Sequence, residues 1–383
     1  MNILFIYDAP LRPEVGGTER ATQLVMHELS QKGHRCLGIL HFDQRNPSEQ
    51  FLNNRKIASL YDFLKENQIE VVVNQIAFHP RFLSQFLAQG GERWKSEGGK
   101  IISFMHLDPT PAPKPALKSY FSDWKSKNLV AKLKRLAFVF SIPLFYAKTN
   151  REYNNGLRYL YEHSDRYVLM SQSFIPVFLK LTGLKDTTKV CVIPNMLTFP
   201  TIASDTIVNN KEKMLLVVAR LDDEQKNISF ILDAWNKVSN HHGYQLHIVG
   251  DGSDRDKLHA KASNMQDVVF EGAQSPLVWY QRAAIFLMAS PREGWGLTIT
   301  ESLQNGVVPV VLNTSTVFKD IIVNQENGFL PNSMQEYVTC IESLLTDEAL
   351  RQKMALKALA SAHRFTPKVV GDLWNKMLQE FHV

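Results

Sequence analysis

Cysteine is scarce in this 383-residue chain, which contains only Cys36, Cys191 and Cys340. The three lie far apart and form no Cys-x-x-Cys pair, so the sequence argues against a disulfide framework and against a structural zinc site. No apolar run approaches the ~20 residues needed to span a bilayer. The first residues have the pattern of a buried strand and lack the basic leader of a signal peptide. These absences predict a cytoplasmic protein.

A nucleic-acid-binding motif is also lacking, although the charge is unevenly distributed. Residues 1–195 contain 26 Lys/Arg against 17 Asp/Glu, whereas the remaining residues contain 17 against 21. A basic first half indicates that this half meets an anionic partner. Nucleic acid is a poor candidate, because the positive excess is local and no recognised motif accompanies it.

Short apolar runs alternate with amphipathic segments along the whole chain. Continuous apolar strands separated by helices predict parallel sheets that are covered on both faces. Two successive sets of such runs predict two Rossmann-like domains, with a ligand beyond the carboxyl ends of the strands. A segment rich in Pro, Thr and Asn, residues 194–213, is the predicted linker between them. The predicted strands are residues 3–7, 36–40, 71–73, 101–104, 167–170, 190–193, 214–218, 246–249, 268–270, 285–289 and 308–312.

The most informative motif runs from Glu293 to Glu301 and contains Gly294, Trp295 and Gly296. A predicted strand leads into it, and a helical pattern beginning at about Thr298 follows it. A strand, a glycine-bearing turn and a helix start present free N–H groups to an anion. With a carboxylate on either side for hydroxyl groups, the arrangement suits a nucleotide sugar. Two alternatives stay open: Glu301 caps its own helix with Thr298 in a capping box, and Glu293 is a solvated loop acid.

This motif resembles the E-x7-E signature of retaining glycosyltransferases of the GT-B fold, especially the large GT4 group. The resemblance extends along nearly the whole chain, because four further motifs occur in the family's order and spacing. They are Gly16-Gly17-Thr18-Glu19, Ile193-Pro194-Asn195, Ala219-Arg220-Leu221 followed by Lys226-Asn227, and Gly250-Asp251-Gly252.

The resemblance implies an α/β protein of the GT-B fold, in which two Rossmann-like domains face each other across a cleft. Residues 1–196 would form the acceptor-side domain, with a basic and apolar insertion at about 114–160. Residues 197–366 would form the nucleotide-sugar donor domain. Residues 367–383 would form a helix that crosses back onto the first domain.

The resemblance also implies a function: retaining transfer of a hexose from a UDP- or GDP-type sugar to a saccharide or lipid-linked saccharide. The expected setting is bacterial surface polysaccharide or lipopolysaccharide biosynthesis, without a metal or other cofactor. The nearest alternatives are a nucleotide-sugar epimerase of the same architecture and a non-catalytic nucleotide-sugar binder.

Four residues are predicted to act in catalysis. Arg220 and Lys226 would neutralise the departing diphosphate in place of a metal, since both suit phosphate oxygens. Glu293 would hold sugar hydroxyls, and His106 follows a predicted strand where similar enzymes carry a histidine near the donor sugar. A solvated position for the two cations and a structural role for the histidine are the alternatives. The predicted substrate-binding residues are Gly16, Gly17, Asn195, Glu271, Gly294, Trp295, Gly296, Leu297, Thr298 and Glu301.

A basic stretch at residues 114–158 contains an apolar run at 136–147 with Pro143 near its end. Such a basic amphipathic surface suits an anionic membrane interface. We therefore predict peripheral association with the inner face of the membrane through Lys125 to Tyr146. The alternative is a pair of buried helices with solvated lysines on the outside.

Overall fold

The computed structural model describes residues 1–13, 16–43, 46, 48–111 and 129–381. Within them the first sheet has the strand order β4-β3-β2-β1-β5-β6-β7-β8 and is parallel except for β3 and β4. Its strands are β1 (Asn2–Ile6), β2 (Arg35–Phe42), β3 (Gln50–Leu52), β4 (Arg55–Ile57), β5 (Val71–Asn74), β6 (Lys100–Met105), β7 (Arg166–Leu169) and β8 (Val190–Val192). The α-helices around it are α1 (Gly17–Gln31), α2 (Leu60–Glu66), α3 (Arg81–Phe86), α4 (Glu92–Ser96), α5 (Leu129–His163) and α6 (Ile175–Thr182).

The second sheet is parallel throughout and has the strand order β11-β10-β9-β12-β13. Its strands are β9 (Met214–Val218), β10 (Gln245–Val249), β11 (Val268–Gly272), β12 (Ile285–Met288) and β13 (Val308–Val311). The helices of this part are α7 (Asp223–Lys226), α8 (Ile228–Trp235), α9 (Arg255–Lys261), α10 (Leu277–Arg282), α11 (Leu297–Gln304), α12 (Phe318–Ile321), α13 (Met334–Thr346) and α14 (Glu348–Ala362).

Every strand predicted from the apolar runs is present, with ends that shift by one or two residues. The central strands are rich in Val, Ile and Leu and are buried on both faces, as parallel strands covered by helices must be. The hairpin β3–β4 was not predicted. Its strands have three residues each, and its turn places Asn53 and Asn54 at φ values of 45° and 71°.

The last helix, α15 (Pro367–Gln379), crosses back onto the first half of the chain. Lys32, the C-cap of α1, forms an ion pair of 2.6 Å with Asp372, and His34 contacts Asn375 at 2.9 Å. The buried Trp374 packs edge-on against Phe104 of β6 at 5.4 Å between ring centroids. The prediction of a helix that returns to the first domain is thus confirmed.

The predicted membrane-facing segment lies partly outside the described residues, which exclude 112–128 and the side chains of 129–141. The described end of that segment continues as helix α5, in which Leu144 and Phe145 are 76% and 61% exposed. Among the described residues, no helix is long and apolar enough to cross a bilayer.

Candidate active site

A cleft of about 840 Å³ lies between the two sheets, beyond the carboxyl ends of their strands. We call its two sides the first lip (Gly16, Gly17, Arg20, His106 and Asn195) and the second lip (Arg220, Lys226 and residues 293–301). All of the predicted site residues except Glu271 line this cleft. The Glu271 carboxylate instead contacts His247 Nδ1 at 2.6 Å, while the neighbouring residues 273–276 line the cleft.

Lys226 and Glu293 form an ion pair on the second lip. Lys226 ends the short helix α7 after β9, and Glu293 lies in the loop after the neighbouring strand β12. Asn227, in the left-handed conformation at φ 51°, donates to the Ala289 carbonyl at 3.3 Å and so fixes the chain beside Lys226. Lys226 Nζ lies 2.6 Å from Glu293 Oε1, and the two side chains are 26% and 16% exposed. Glu293 is therefore not a solvated loop acid.

Arg220 lies at the end of β9 on the same lip but is held less firmly. Its side chain is 58% exposed, donates to Gln225 Oε1 at 2.5 Å and lies 4.0 Å from the Asp222 carboxylate. The guanidinium therefore remains accessible to an anion in the cleft.

Glu301 is buried on the second lip and is bound by side chains from three segments. Its Oε1 accepts from Arg20 at 3.1 Å and from Thr198 at 2.7 Å, and its Oε2 accepts from the Tyr280 hydroxyl at 3.1 Å. Burial, together with this carboxylate, raises the pKa of Tyr280. The capping-box alternative is wrong, because Gly296 and not Thr298 is the N-cap of α11.

The glycines of the motif bring the two lips into contact. Gly296 has a φ of 89°, and Gly294 lies so close to the backbone of His106 and Leu107 that any Cβ there would collide with the His106 carbonyl. Trp295 between them is buried and packs edge-on against Phe365 at 5.3 Å. Among the described residues no side chain caps α11, so its first amides remain available to an anion.

On the first lip, His106 is buried and its ring lies against Phe104 at 4.0 Å between centroids. Its Nε2 contacts the Gln75 side-chain oxygen, and burial lowers the pKa of His106 to about 3, so the imidazole is neutral near pH 7. The His106 Nδ1 and the Asn195 Oδ1 are buried and lack a hydrogen-bond partner among the described residues. Unsatisfied buried polar atoms are uncommon and often mark functional sites.

The glycine pair begins helix α1 at the opposite end of the first lip. Gly16 is the N-cap, and within the described chain no side chain caps this helix. A Cβ on Gly17 would lie 3.3 Å from the Leu297 side chain of the second lip. The pair thus allows the two lips to approach closely.

Two polar clamps join the halves of the chain beside the cleft. Ser315 donates to the Asp108 carboxylate at 3.0 Å, and Arg292 donates to the Asp108 carbonyl at 2.5 Å. On the other clamp, Asp320 accepts from the Ser173 hydroxyl at 2.8 Å and from the Ser171 hydroxyl. Ser171, which follows β7, therefore helps to join the two halves of the chain.

Sequence reasoning missed Arg20, Gln75, Thr198 and Tyr280, whose partners are distant in sequence. The position of Arg20 one turn after the glycine pair was the available signal, because i and i+3 residues share a helix face. Among the described residues, no group of three or more His, Cys, Asp or Glu side chains is arranged to hold a metal ion.

Residues 199–360 match the family model described as glycosyl transferases group 1. A lipopolysaccharide 1,6-galactosyltransferase of Salmonella typhimurium is 25% identical over 175 residues, which are 43% of this chain and 48% of that protein. An uncharacterized glycosyltransferase of Haemophilus influenzae is also 25% identical over 175 residues, 44% of this chain and 49% of that protein. The chain spans about half the length of these curated relatives.

Solved structures share the fold over nearly the whole chain. The lipopolysaccharide outer core galactosyltransferase WaaB, in its apo form, aligns with a TM-score of 0.67 and 19% identity over 99% of both chains. Anabaena HepE in complex with UDP-glucose aligns with a TM-score of 0.69 and 14% identity, over 99% of this chain and 100% of that one. The protein thus has the GT-B fold, and its residues 199–360 match the family model of the group 1 glycosyl transferases.

Proposed function

We propose that the protein is a retaining glycosyltransferase that moves a hexose from a nucleotide diphosphate sugar to a saccharide or lipid-linked saccharide. The observation that carries the proposal is the composition of the second lip, where Arg220, Lys226, the Glu293 carboxylate and the uncapped start of α11 line the same cleft. Cations and oriented amides stabilise a departing diphosphate, and a carboxylate holds hydroxyl groups.

In this proposal the diphosphate binds Arg220, Lys226 and the first amides of α11, with the sugar between Glu293 and His106. The neutral His106 offers an imidazole that does not add charge near the sugar. The nucleoside extends towards residues 273–276, and its ribose lies near Glu301. The fixed cations carry the charge of the leaving group, so the reaction is proposed to need no metal.

Retention follows, in this proposal, from displacement on one face of the sugar. The leaving phosphate oxygen accepts the proton of the acceptor hydroxyl as that hydroxyl attacks the anomeric carbon from the same face. We assign no enzymatic nucleophile. The first lip, with its uncapped α1 and close Gly17–Leu297 approach, would restrict where the acceptor enters.

Bacterial lipopolysaccharide or surface polysaccharide assembly is the proposed setting. It is supported by the similarity to a lipopolysaccharide core biosynthesis glycosyltransferase of Rhizobium meliloti, which is 27% identical over 162 residues. The HepE complex with UDP-glucose favours a UDP-type donor.

A donor screen tests the proposal. The protein is incubated with UDP-, GDP- and ADP-sugars plus acceptor extracts, with and without EDTA, and the products are analysed by mass spectrometry and NMR. Transfer with retained anomeric configuration that persists in EDTA is the expected result. Isomerisation without acceptor would identify an epimerase, binding without turnover a binding protein, and strict dependence on magnesium or manganese would overturn the metal-free mechanism.

We also propose peripheral association with an anionic membrane, through residues 125–146. The described end of this segment supports the idea, because the exposed Leu144 and Phe145 lie one turn from Lys148. Each basic residue near such a surface contributes about 1 kcal/mol. Co-sedimentation with anionic vesicles that is reversed by salt is expected, whereas equal sedimentation with neutral vesicles would contradict the proposal.

A further inference from the structure

Lys226 and Glu293 are paired with each other on the second lip, although the proposed reaction needs them on different parts of the donor. Their 2.6 Å contact joins charged groups that are mostly buried, at 26% and 16% side-chain exposure. Charge-assisted contacts of this kind are short and strong, and removing one partner leaves the other charge buried and uncompensated. Donor binding must therefore separate a pair that is already satisfied.

We infer that the Lys226–Glu293 pair discriminates between a complete nucleotide sugar and the free nucleoside diphosphate. The inference rests on the proposed function. A nucleotide sugar replaces both partners at once, because its diphosphate takes Lys226 and its sugar hydroxyls donate to Glu293. Free nucleoside diphosphate replaces only one of them.

The two ligands therefore leave Glu293 in different states. With the free diphosphate bound to Lys226, the Glu293 carboxylate loses its cation and faces the negative phosphates without a hydroxyl donor. That state is disfavoured by desolvation and by like-charge repulsion. The pair thus weakens the binding of the nucleoside diphosphate product and favours its release once the sugar has been transferred.

The second carboxylate of the motif does not share this property. Glu301 has three protein partners, Arg20, Thr198 and Tyr280, none of which is Lys226. Its charge therefore remains compensated when the diphosphate binds Lys226. Of the two carboxylates of the motif, only Glu293 therefore discriminates between the nucleotide sugar and the free nucleoside diphosphate.

Calorimetry on the full-length protein tests the inference. It measures the dissociation constants of UDP, of GDP and of the sugar nucleotide that the donor screen identifies. Glu293→Gln keeps the shape of the side chain but removes its charge, so Lys226 is released at a lower cost and no buried charge is left behind. For the nucleoside diphosphate that binds, we expect the Kd of Glu293→Gln to be lower than that of the wild type by about tenfold. The wild-type preference for the sugar nucleotide over this diphosphate should disappear.

Asp372→Asn is the matched control, since it also neutralises one carboxylate of a 2.6 Å lysine pair but lies on α15, away from the cleft. It should leave nucleotide binding unchanged. Glu293→Ala, checked for folding by circular dichroism, provides a second variant and should also bind the diphosphate more tightly than the wild type.

The failures of the two proposals are distinguishable. If the wild type binds UDP or GDP but neither Glu293 variant binds it more tightly, the inference is wrong while the proposed function stands. If Asp372→Asn tightens binding equally, the effect is one of net charge and the inference is also wrong. If no nucleoside diphosphate or sugar nucleotide binds the wild type or any variant, the proposed function is wrong, and so is the inference that rests on it.

Discussion

The two lips of the cleft differ in how their polar groups are satisfied. On the second lip Lys226 is paired with Glu293, and Glu301 has three partners, so most of the charge is already compensated. On the first lip the polar groups His106 and Asn195 are buried, and each keeps one atom without a hydrogen-bond partner among the described residues. A ligand that binds Lys226 or Glu293 must exchange partners on the second lip, whereas it can add contacts to His106 and Asn195 on the first.

The difference indicates that charge decides binding on the second lip, whereas neutral hydrogen-bonding atoms decide it on the first. The compensated charges of the second lip suit an anionic group, because an anion can replace the carboxylate beside a lysine. The neutral atoms of the first lip suit hydroxyl groups, which donate and accept at modest strength. Predictions for individual variants follow from this comparison.

The largest effect is expected on the second lip. Lys226→Ala should lower transfer by about 100- to 1,000-fold, because in the proposed mechanism it removes a charge that stabilises the leaving diphosphate. Arg220→Ala should have a smaller effect, since its side chain is 58% exposed to solvent. Steady-state kinetics measures both.

Lys237→Ala, on an exposed position outside the cleft, is the control for loss of one lysine. An equal loss of activity in Lys237→Ala and Lys226→Ala would contradict a specific role for the second lip. Full activity of Lys226→Ala would remove the main support for charge compensation without a metal.

The next effect concerns the contact between the lips. Gly294→Ala places a Cβ against the His106 carbonyl, so the lips must separate. Because a displacement of about 1 Å can reduce turnover by about 100-fold, we expect a loss of that order with little change in nucleotide affinity. Gly17→Ala should be milder, since its Cβ would meet the flexible end of Leu297 at 3.3 Å. A larger loss in Gly17→Ala than in Gly294→Ala would contradict this explanation.

The smallest effect concerns the neutral His106 of the first lip and appears in the pH dependence of stability. The pKa of His106 is lowered by burial from 6.5 to about 3, so the unfolded chain binds more protons than the folded chain between these pH values. The contribution of His106 to stability is therefore complete above about pH 6.5 and is lost as the pH falls towards 3. The slope is at most about 1.4 kcal/mol per pH unit.

Urea denaturation at pH 7 and pH 4.5 measures the change in the free energy of unfolding with pH. His106→Gln should reduce this slope by up to the contribution of one proton, about 1.4 kcal/mol per pH unit. If the wild type and His106→Gln have the same slope, the imidazole is protonated or solvent-exposed in the folded state. The assignment of a neutral His106 would then be wrong.

The motif of the second lip could be predicted from sequence because its parts are close along the chain. Gly294, Gly296 and Glu301 lie within eight residues, and the strand–turn–helix pattern placed them correctly at the start of α11. The short hairpin β3–β4 was missed, because three-residue strands at the edge of a sheet have no recognisable apolar run. The Asn53-Asn54 pair was its only signal, through the positive φ values that asparagine tolerates.

The role assigned to Glu301 shows the limit of local reasoning. The Thr298-x-x-Glu301 spacing fits a capping box, and nothing nearby in sequence excludes it. The carboxylate is instead bound by Arg20, 281 residues earlier, and by Thr198 and Tyr280. Only the packing of α1 and α10 against α11 decides between the two interpretations.

By itself, the sequence determined the parallel strands of the two sheets and the order of the motifs, because apolar periodicity and turn glycines act over a few residues. The tertiary structure decided which charges meet. Lys226 pairs with Glu293 because β9 and β12 are neighbours in the sheet, and Gly294 contacts His106 because the two halves close on one another. Such contacts depend on distances between segments that are remote along the chain, and no local pattern encodes them.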